Sequence, residues 1–434
     1  MDVLGAVVAE GFARRVEPIE SLADDADRIA SAGLDMARAF HRGGRLLVFG
    51  NGNSATDALH ISVEFVHPVI VGKRALPAFS LVGDAATVTG IARSHGIDEV
   101  FAEQLGVLGR SGDIALGVSR DGDCVNVRRG LEQARAAGMV TVALVGGDGG
   151  AIAADALADH CLVVRSEDQR VVKEGHVTLY HVLWELVHVF FEQPGLLAPS
   201  DVGVGRPDGL TGLYPFLYTD TTDLPPVLAA VAQSTRDKIA EIVGLRRVVA
   251  AELGERLAVC AGDLAEALGG GGTLFAFGNG GSSTDAQDIA HTFLDPEDGR
   301  VPVPALCLTS DTAVVTALSN DVGFDVVFAR QIRAFGRPGD VAIGVSTSGG
   351  SANVLAALVA AKEAGMVTVG LSGYSGGRMA ELDELDHLFA MPSSSVHRVQ
   401  EVQTTLYHVL WEAVQAVIRQ RSGPELRRSP PGRG

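Results

Sequence analysis

A domain-sized internal repeat constrains the fold of this chain more than any other feature. The hexapeptide Tyr-His-Val-Leu-Trp-Glu occupies residues 180–185 and returns unchanged at residues 407–412. The segment Ala-Gly-Met-Val-Thr-Val recurs in the same order at residues 137–142 and 364–369. A period of this size is that of a whole domain, whereas solenoid repeats are much shorter. The sequence therefore predicts two copies of one domain.

Each copy alternates short apolar runs with segments of helical spacing, which predicts an α/β fold with a parallel, doubly wound sheet. The predicted strands are residues 46–49, 78–82, 114–118, 140–145 and 160–164, and then 273–277, 305–308, 341–345, 367–371 and 387–390. The predicted organisation is a first domain at 1–196, a linker at 197–225, a second domain at 226–421 and a disordered tail at 422–434.

Composition narrows the class of protein. A net charge of −18 argues against non-specific binding to nucleic acid or to an anionic membrane. The four cysteines show no paired spacing, which is typical of a reducing compartment. The sequence shows no signal-peptide layout and no apolar run long enough to span a bilayer. These features predict a cytoplasmic protein without nucleic-acid or membrane partners.

A glycine-rich turn follows the first predicted strand of each copy, at residues 50–54 and 278–283. A strand that breaks into glycines before a helix directs backbone N–H groups and the helix dipole at one spot, which favours an anion. Glycine turns after strands are also common for structural reasons alone. Phosphate binding is therefore a hypothesis that needs further residues.

The loop after the third strand differs between the copies. In the second copy, four hydroxyls follow one another closely, at Ser346, Thr347, Ser348 and Ser351. A capped helix would need only one of them, so the loop favours phosphate binding. The first copy has Asp121 and Asp123 in this loop, and carboxylates repel phosphate. We predict that only the second loop binds phosphate.

Candidate acid–base and metal-binding residues are also divided between the copies. After the first glycine turn, His60 and Glu64 share one helix face, a spacing typical of metal ligands and equally typical of a surface pair. The second copy has Asp288 and Thr292 at these positions. On the C-terminal helices, the second copy has Gln400 and His408, and the first has Lys173 and His181.

Together these motifs resemble the sugar-isomerase (SIS) domain, and within it the phosphoheptose isomerases. The second copy is closer in its loops, which are Gly278-Asn279-Gly280-Gly281-Ser282, Ser310-Asp311, Asn320-Asp321-Val322-Gly323-Phe324, Ser346-Thr347-Ser348-Gly349 and Arg398-Val399-Gln400-Glu401. The resemblance implies two tandem SIS domains, each a five-stranded parallel sheet flanked by helices in a flavodoxin-like three-layer sandwich. It also implies a divalent metal, typically zinc, whose ligands match His60, Glu64, Gln400 and His408.

Since neither copy has the full ligand set, we expect one composite site formed by both domains. The remaining residues would form an inactive site, with Lys173 facing Asp288; its other members are Asp121, Asp123, His181 and Thr292. Family sites lie at subunit interfaces of a tetramer, which a homodimer of tandem chains would recreate.

The reaction implied by the resemblance is aldose–ketose isomerisation of sedoheptulose 7-phosphate through an enediol. Glu64 and His408 are the expected acid–base residues. The expected substrate-binding residues are Asn279, Ser282, Ser283, Asp311, Ser346, Thr347, Ser348, Ser351 and His397. Two alternatives remain open. One is a non-catalytic phosphosugar-binding or regulatory protein, and the other is a related isomerase or lyase that uses a different sugar.

Overall fold

The computed structural model describes residues 3–70, 72–192, 194–197, 224–296, 299–383 and 385–422. The predicted tail after residue 422 lies outside the described residues. The same holds for the predicted linker, except residues 197, 224 and 225.

The first half of the chain forms a parallel sheet in the strand order β2-β1-β3-β4-β5. Strands β1 and β3 are buried along their whole length, because helices cover both faces of the sheet. The elements are α1 (Val3–Ala13), α2 (Val16–Glu20), α3 (Ala26–His41), β1 (Leu46–Gly50), α4 (Asn53–Val66), β2 (Ala78–Ser80), α5 (Ala85–His95), α6 (Val100–Leu108), β3 (Ile114–Ser119), α7 (Val125–Ala136), β4 (Val140–Gly146), α8 (Gly150–Ala154), β5 (His160–Val164), α9 (Gln169–Phe191) and α10 (Pro194–Leu197).

The second half repeats this topology, with the strand order β7-β6-β8-β9-β10. Its elements are α11 (Leu224–Gly269), β6 (Leu274–Gly278), α12 (Gly281–Leu294), β7 (Ala305–Cys307), α13 (Thr312–Asp321), α14 (Val327–Phe335), β8 (Val341–Ser346), α15 (Ala352–Glu363), β9 (Val367–Gly373), β10 (His387–Met391) and α16 (Val396–Ser422). All ten predicted strands are present, and the predicted fold of two five-stranded parallel sheets flanked by helices is confirmed. Among the described helices, none has both the length and the apolar character needed to cross a membrane.

The chain divides into two compact units, which we call repeat unit 1 (Val16–Val243) and repeat unit 2 (Met1–Arg15 with Gly244–Gly434). The N-terminal helix α1 thus belongs with the second repeat, and the start of α11 belongs with the first. The domain boundaries predicted from sequence followed the repeat and did not include this exchange.

Buried charges hold the exchanged helices. Arg15, which is fully buried, donates a 2.9 Å hydrogen bond to Glu412 of α16 in repeat unit 2. Lys238 of α11 forms an ion pair with Glu185 of α9 in repeat unit 1. Glu185 and Glu412 are the last residues of the repeated hexapeptide. Each repeat therefore uses the same glutamate to bind a cation, from the turn after α1 in one unit and from α11 in the other.

The core repeats along with the sequence. Phe49 and Phe101 have ring centroids 5.1 Å apart between the sheet and helix α6, and the equivalent rings of Phe277 and Phe328 are 5.6 Å apart. In repeat unit 1, helices α6 and α7 cover this face, while α3, α4 and α9 pack on the other. Three layers result, with one sheet between two helical layers.

The topology places the polar turns at one edge of each sheet. Strands β1 and β3 are neighbours, as are β6 and β8. The helix that follows the first strand of each pair packs on one face of the sheet, and the helix that follows the second strand packs on the other face. The carboxyl ends of the two strands therefore flank a crevice. In each unit, the glycine turn and the loop after the third strand meet there.

We predict that Gly349→Ala destabilises the protein much more than Gly43→Ala. Both glycines have positive φ, at +63° and +88°. A Cβ atom at Gly349 would lie 2.0 Å from the carbonyl oxygen of Gly376, whereas nothing lies within 4 Å of one at Gly43. The expected losses of unfolding free energy are about 3 and about 1 kcal/mol, measured by chemical denaturation. Equal losses would contradict this close approach of the two loops.

Candidate functional site

Two histidines and a glutamate form a buried cluster in repeat unit 1. His60 and Glu64 lie on α4, and His181 lies on α9. Their ligand atoms all lie within 4.8 Å of one another, and His60 Nε2 is 3.5 Å from Glu64 Oε1. Each side chain is at most 4% exposed. His181, which was predicted from sequence to belong to the inactive site, lies beside His60 and Glu64 in the structure, and its role stays a prediction.

Helix α9 holds helix α4 in the position that forms this cluster. The indole N–H of Trp184 donates to the backbone carbonyl of Glu64 at 2.8 Å. The rings of Tyr180 and His60 have centroids 5.2 Å apart. Since Tyr180, His181 and Trp184 all belong to the repeated hexapeptide, this motif has a direct part in assembling the cluster.

The cluster fits a divalent metal ion by the chemistry of its donors. Two imidazoles and one carboxylate, close together and buried, match the three-ligand set of catalytic zinc sites, in which the fourth position stays open. Gln400 and His408, the other two predicted ligands, belong to repeat unit 2, and their part in metal binding stays a prediction.

Lys173 lies near the cluster, at the position where the second copy has Gln400. Its ammonium group donates to the carbonyl of Asn53 at 3.0 Å, to Thr56 Oγ1 at 2.7 Å and to Asp57 Oδ1 at 2.6 Å. Three acceptors match the three protons of the ammonium. Lys173 thus ties α9 to the first turn of α4, and the predicted pairing with Asp288 is not tested by these contacts.

Repeat unit 2 has a different arrangement at the equivalent positions. Asp288 replaces His60, and it accepts a 2.7 Å hydrogen bond from the hydroxyl of Tyr407. His408 Nε2 lies 3.3 Å from the same carboxylate oxygen. Burial raises the pKa of Tyr407 well above its ordinary value, and the nearby charge of Asp288 raises it further. Thr292 stands where repeat unit 1 has Glu64, so this cluster lacks that carboxylate.

The predicted phosphate loop of repeat unit 2 concentrates hydroxyls at the carboxyl end of β8. Ser346 Oγ lies 3.0 Å from Ser351 Oγ and 3.5 Å from Ser348 Oγ, and the backbone N–H of Gly350 donates to Ser348 at 3.2 Å. These hydroxyls can rotate to donate to an anion. Thr347 belongs to the same loop.

The remaining predicted substrate residues have structural contacts as well. Ser282 is buried, and Ser283 Oγ donates to the Gly280 carbonyl at 2.7 Å. The carboxylate of Asp311 accepts from the Val314 N–H at 3.0 Å, as the N-cap of α13. His397 is 2% exposed on α16. Their contacts with a substrate stay predictions.

Comparison with known proteins identifies the family. A profile of the SIS domain matches residues 12–146 and 239–373, together more than half of the chain. The chain belongs to the SIS domain family. Both matched ranges begin before the glycine turn and include the loop after the third strand, so each repeat is an SIS domain.

Its SIS repeats are related to phosphoheptose isomerases. The phosphoheptose isomerase of Roseiflexus sp. (strain RS-1) is 49% identical over 149 residues, which are 34% of this chain and 75% of that protein. The phosphoheptose isomerase of Aquifex aeolicus (strain VF5) is 44% identical over 163 residues, 37% of this chain and 84% of that protein. The resemblance predicted from the motifs is confirmed.

A solved structure shares the fold over nearly the whole SIS chain. Tagatose-6-phosphate ketose/aldose isomerase from Escherichia coli has a TM-score of 0.54 and covers 95% of this chain and 94% of its own. At 11% identity, this likeness shows the fold alone.

An amide pair that was not predicted from sequence joins the two loops of each SIS repeat. In repeat unit 2, Asn279 Nδ2 donates to Asn353 Oδ1 at 2.8 Å, and Asn353 Nδ2 returns a bond to Asn279 Oδ1 at 2.9 Å. Asn51 and Asn126 form the same reciprocal pair in repeat unit 1, at 2.7 and 3.0 Å. Both asparagines of the pair recur at the repeat spacing, which is a signal that could have found them.

We predict that His176 makes the protein sensitive to acid. Full burial, with the Lys173 charge adding to it, lowers the pKa of His176 to about 3 despite a hydrogen bond to the Val145 backbone. Between about pH 6.5 and 3 the unfolded chain binds a proton that the folded chain does not, so stability is complete above pH 6.5 and falls below it. His176→Gln, which copies the buried Gln403 of the other repeat, should remove this dependence.

The measurement is the unfolding free energy at pH 7.5 and pH 5. The His176 contribution to the loss in the unchanged protein is about 2 kcal/mol. The exposed His95→Gln variant is the control and should behave like the unchanged protein. A His176→Gln variant with undiminished pH dependence would contradict the prediction.

Proposed function

We propose that this SIS protein is a metal-dependent aldose–ketose isomerase of a sugar phosphate, acting on sedoheptulose 7-phosphate. The observation that carries the proposal is the buried position of Glu64 beside two imidazoles, His60 and His181. A carboxylate in such surroundings is suited to accept and return a proton. The names of the relatives from Roseiflexus and Aquifex agree with this chemistry.

Glu64 is the proposed base for the proton that moves between C1 and C2 of the sugar. Its side chain is 2% exposed, so this carboxylate is shielded from bulk water, as the proposed proton transfer would require. The second acid–base residue predicted from sequence is His408. His181, at the equivalent position of the other repeat, lies beside Glu64 and is the candidate that the geometry of repeat unit 1 favours.

His60, Glu64 and His181 are the proposed ligands of the metal, which we propose to be zinc. When bound, the metal supplies a Lewis acid that polarises the substrate oxygens during the proton transfer. Two ligands in this set come from one face of α4 and the third comes from α9. The set predicted from sequence, with Gln400 and His408 in place of His181, remains the alternative.

We propose that the two repeats contribute different groups to the reaction. The first contains the carboxylate Glu64, and the second contains the hydroxyls of Ser346, Thr347, Ser348 and Ser351 for the phosphate. Binding the distant phosphate would position the reacting end of the sugar. The single composite site predicted from sequence is part of this proposal, as are the cytoplasmic location and the homodimer of tandem chains.

One observation favours a second candidate, a non-catalytic phosphosugar-binding protein. Repeat unit 2 has the hydroxyl loop but carries Thr292 in place of the glutamate, and repeat unit 1 has the glutamate but carries Asp121 and Asp123 in its loop. A protein that only binds phosphosugars would need no acid–base carboxylate. Turnover and binding of sedoheptulose 7-phosphate by the unchanged protein separate the two candidates.

Glu64→Gln is expected to lower turnover of sedoheptulose 7-phosphate by at least ~100-fold while phosphate binding and thermal stability are kept, because the amide cannot accept the proton. Turnover is followed by product formation, and binding by calorimetry. Thr292→Ala, at the equivalent position of the second repeat, is the matched control and should keep its activity. Full activity in Glu64→Gln would refute the assignment, and binding without turnover in the unchanged protein would favour the second candidate.

The metal content of purified variants tests the ligand set. The unchanged protein should retain about one zinc ion per chain after dialysis. His60→Ala and His181→Ala should each lose it, whereas His408→Ala should retain it. Elemental analysis measures the content. If His408→Ala loses the ion and His181→Ala keeps it, the ligand set predicted from sequence is correct and the set proposed from geometry is wrong.

A further inference from the structure

The loops that follow the third strands of the two repeats share one backbone shape. Gly122 and Gly349 occupy equivalent positions and have φ of +79° and +63°. A Cβ atom at either would lie 2.0 Å from a carbonyl oxygen of the next loop, that of Gly149 or Gly376. Differences in what these loops bind must therefore come from their side chains.

In repeat unit 1, the carboxylate of Asp121 accepts hydrogen bonds from the donors of the loop. Asp121 Oδ1 accepts a hydrogen bond from the backbone N–H of Asp123 at 2.9 Å and from Ser119 Oγ at 3.3 Å. Cys124 Sγ lies 3.8 Å from the same oxygen, and the guanidinium of Arg120 donates to Oδ2 at 3.2 Å. Backbone, hydroxyl and guanidinium groups are the donors that proteins use for phosphate.

The equivalent loop of repeat unit 2 has a neutral group in place of this carboxylate, and Thr347 in place of Arg120. Ser348 stands where repeat unit 1 has Asp121, and it accepts only from the N–H of Gly350 at 3.2 Å among the backbone bonds of this loop that the structure describes. The hydroxyls of Ser346 and Ser351 lie close to each other, at 3.0 Å. A hydroxyl can turn and donate to an incoming anion, whereas a carboxylate can only accept.

Asp121 is charged at neutral pH. Partial burial acts to raise its pKa, but the hydrogen bond from the Asp123 N–H and the guanidinium of Arg120 outweigh it and keep the pKa below its ordinary value. The loop therefore already holds one negative charge at the centre of its donors.

We propose that the carboxylate of Asp121 takes the place of a phosphate group in the loop of the first repeat. By occupying this loop, Asp121 limits the chain to one sugar-phosphate site. This mechanism differs from simple repulsion between Asp121 and a phosphate, because the hydrogen-bond donors of the loop already bond to Asp121. The proposal rests on the assignment of the Ser346–Ser351 loop as the phosphate site.

Calorimetric titration with sedoheptulose 7-phosphate tests the proposal through the number of sites per chain. The unchanged protein should bind one equivalent. Asp121→Ser with Asp123→Gly, which places the residues of the second loop at these two positions, should bind two. Asp121→Ser alone keeps the 2.9 Å bond from the Ala151 N–H to Asp123, and it should gain the second site with weaker affinity.

The Asp121→Asn variant distinguishes occupation of the loop donors by the side chain from charge repulsion of the phosphate. The amide removes the charge but keeps an oxygen that can accept from the same donors, so this variant should still bind one equivalent. Asp98→Asn, an exposed change in the same repeat, controls for the lost charge and should also bind one. A second site in Asp121→Asn would show that repulsion alone excludes the phosphate and would overturn the proposal.

The remaining outcomes separate this proposal from the proposed function. Ser346→Ala with Ser348→Ala should abolish binding. If that variant keeps one equivalent and the unchanged protein binds two, the first loop is open and the proposal is wrong. If a doubly changed Asp121 and Asp123 variant with unchanged thermal stability gains no site, the proposal is also wrong. If the unchanged protein binds no sugar phosphate, the proposed function itself fails.

Discussion

The packing of helix α9 against helix α4 is the interaction on which the candidate site depends. Near the start of α4, the ammonium of Lys173 bonds to Asp57 at 2.6 Å, and near its end the indole of Trp184 donates to the Glu64 carbonyl at 2.8 Å. Because both ends of α4 are held against α9, the helical turns between these contacts bring His181 beside His60 and Glu64. Because these polar groups are buried, loss of either bond would destabilise the contact between the two helices.

The two SIS repeats differ in their side chains at the carboxyl edge of the sheet, while their backbones are alike. The sheets have the same strand order, and the reciprocal asparagine pair joins the loops in both. The chemistry diverges in side chains alone. The first repeat keeps the glutamate and gains an acidic loop, whereas the second keeps the hydroxyl loop and has Thr292 and Asp288 on its helix α12. A fold that buries its core identically tolerates such changes at the carboxyl edge of its sheet.

Much of this architecture was predictable, for identifiable reasons. Each of the ten strands is a short apolar run in the sequence, and the repeated hexapeptide predicted two copies of one domain. The pairing of His60 with Glu64 followed from helical spacing. The position of His181 did not, since it lies more than a hundred residues away on another helix and sequence offers no distance between helices. The grouping of α1 with repeat unit 2 and of the start of α11 with repeat unit 1 likewise depends on contacts between helices that are distant in sequence.

Sequence by itself determined the family, the α/β fold, the duplication and the chemical difference between the two loops, because periodicity, motif order and side-chain type are local properties. Tertiary structure alone decided which groups meet. It placed His181 with His60 and Glu64, gave Lys173 its acceptors Asn53, Thr56 and Asp57, and put the carboxylate of Asp121 among the donors of its own loop. These contacts depend on how helices pack across a sheet and on how a loop closes on itself, and both are properties of the folded chain.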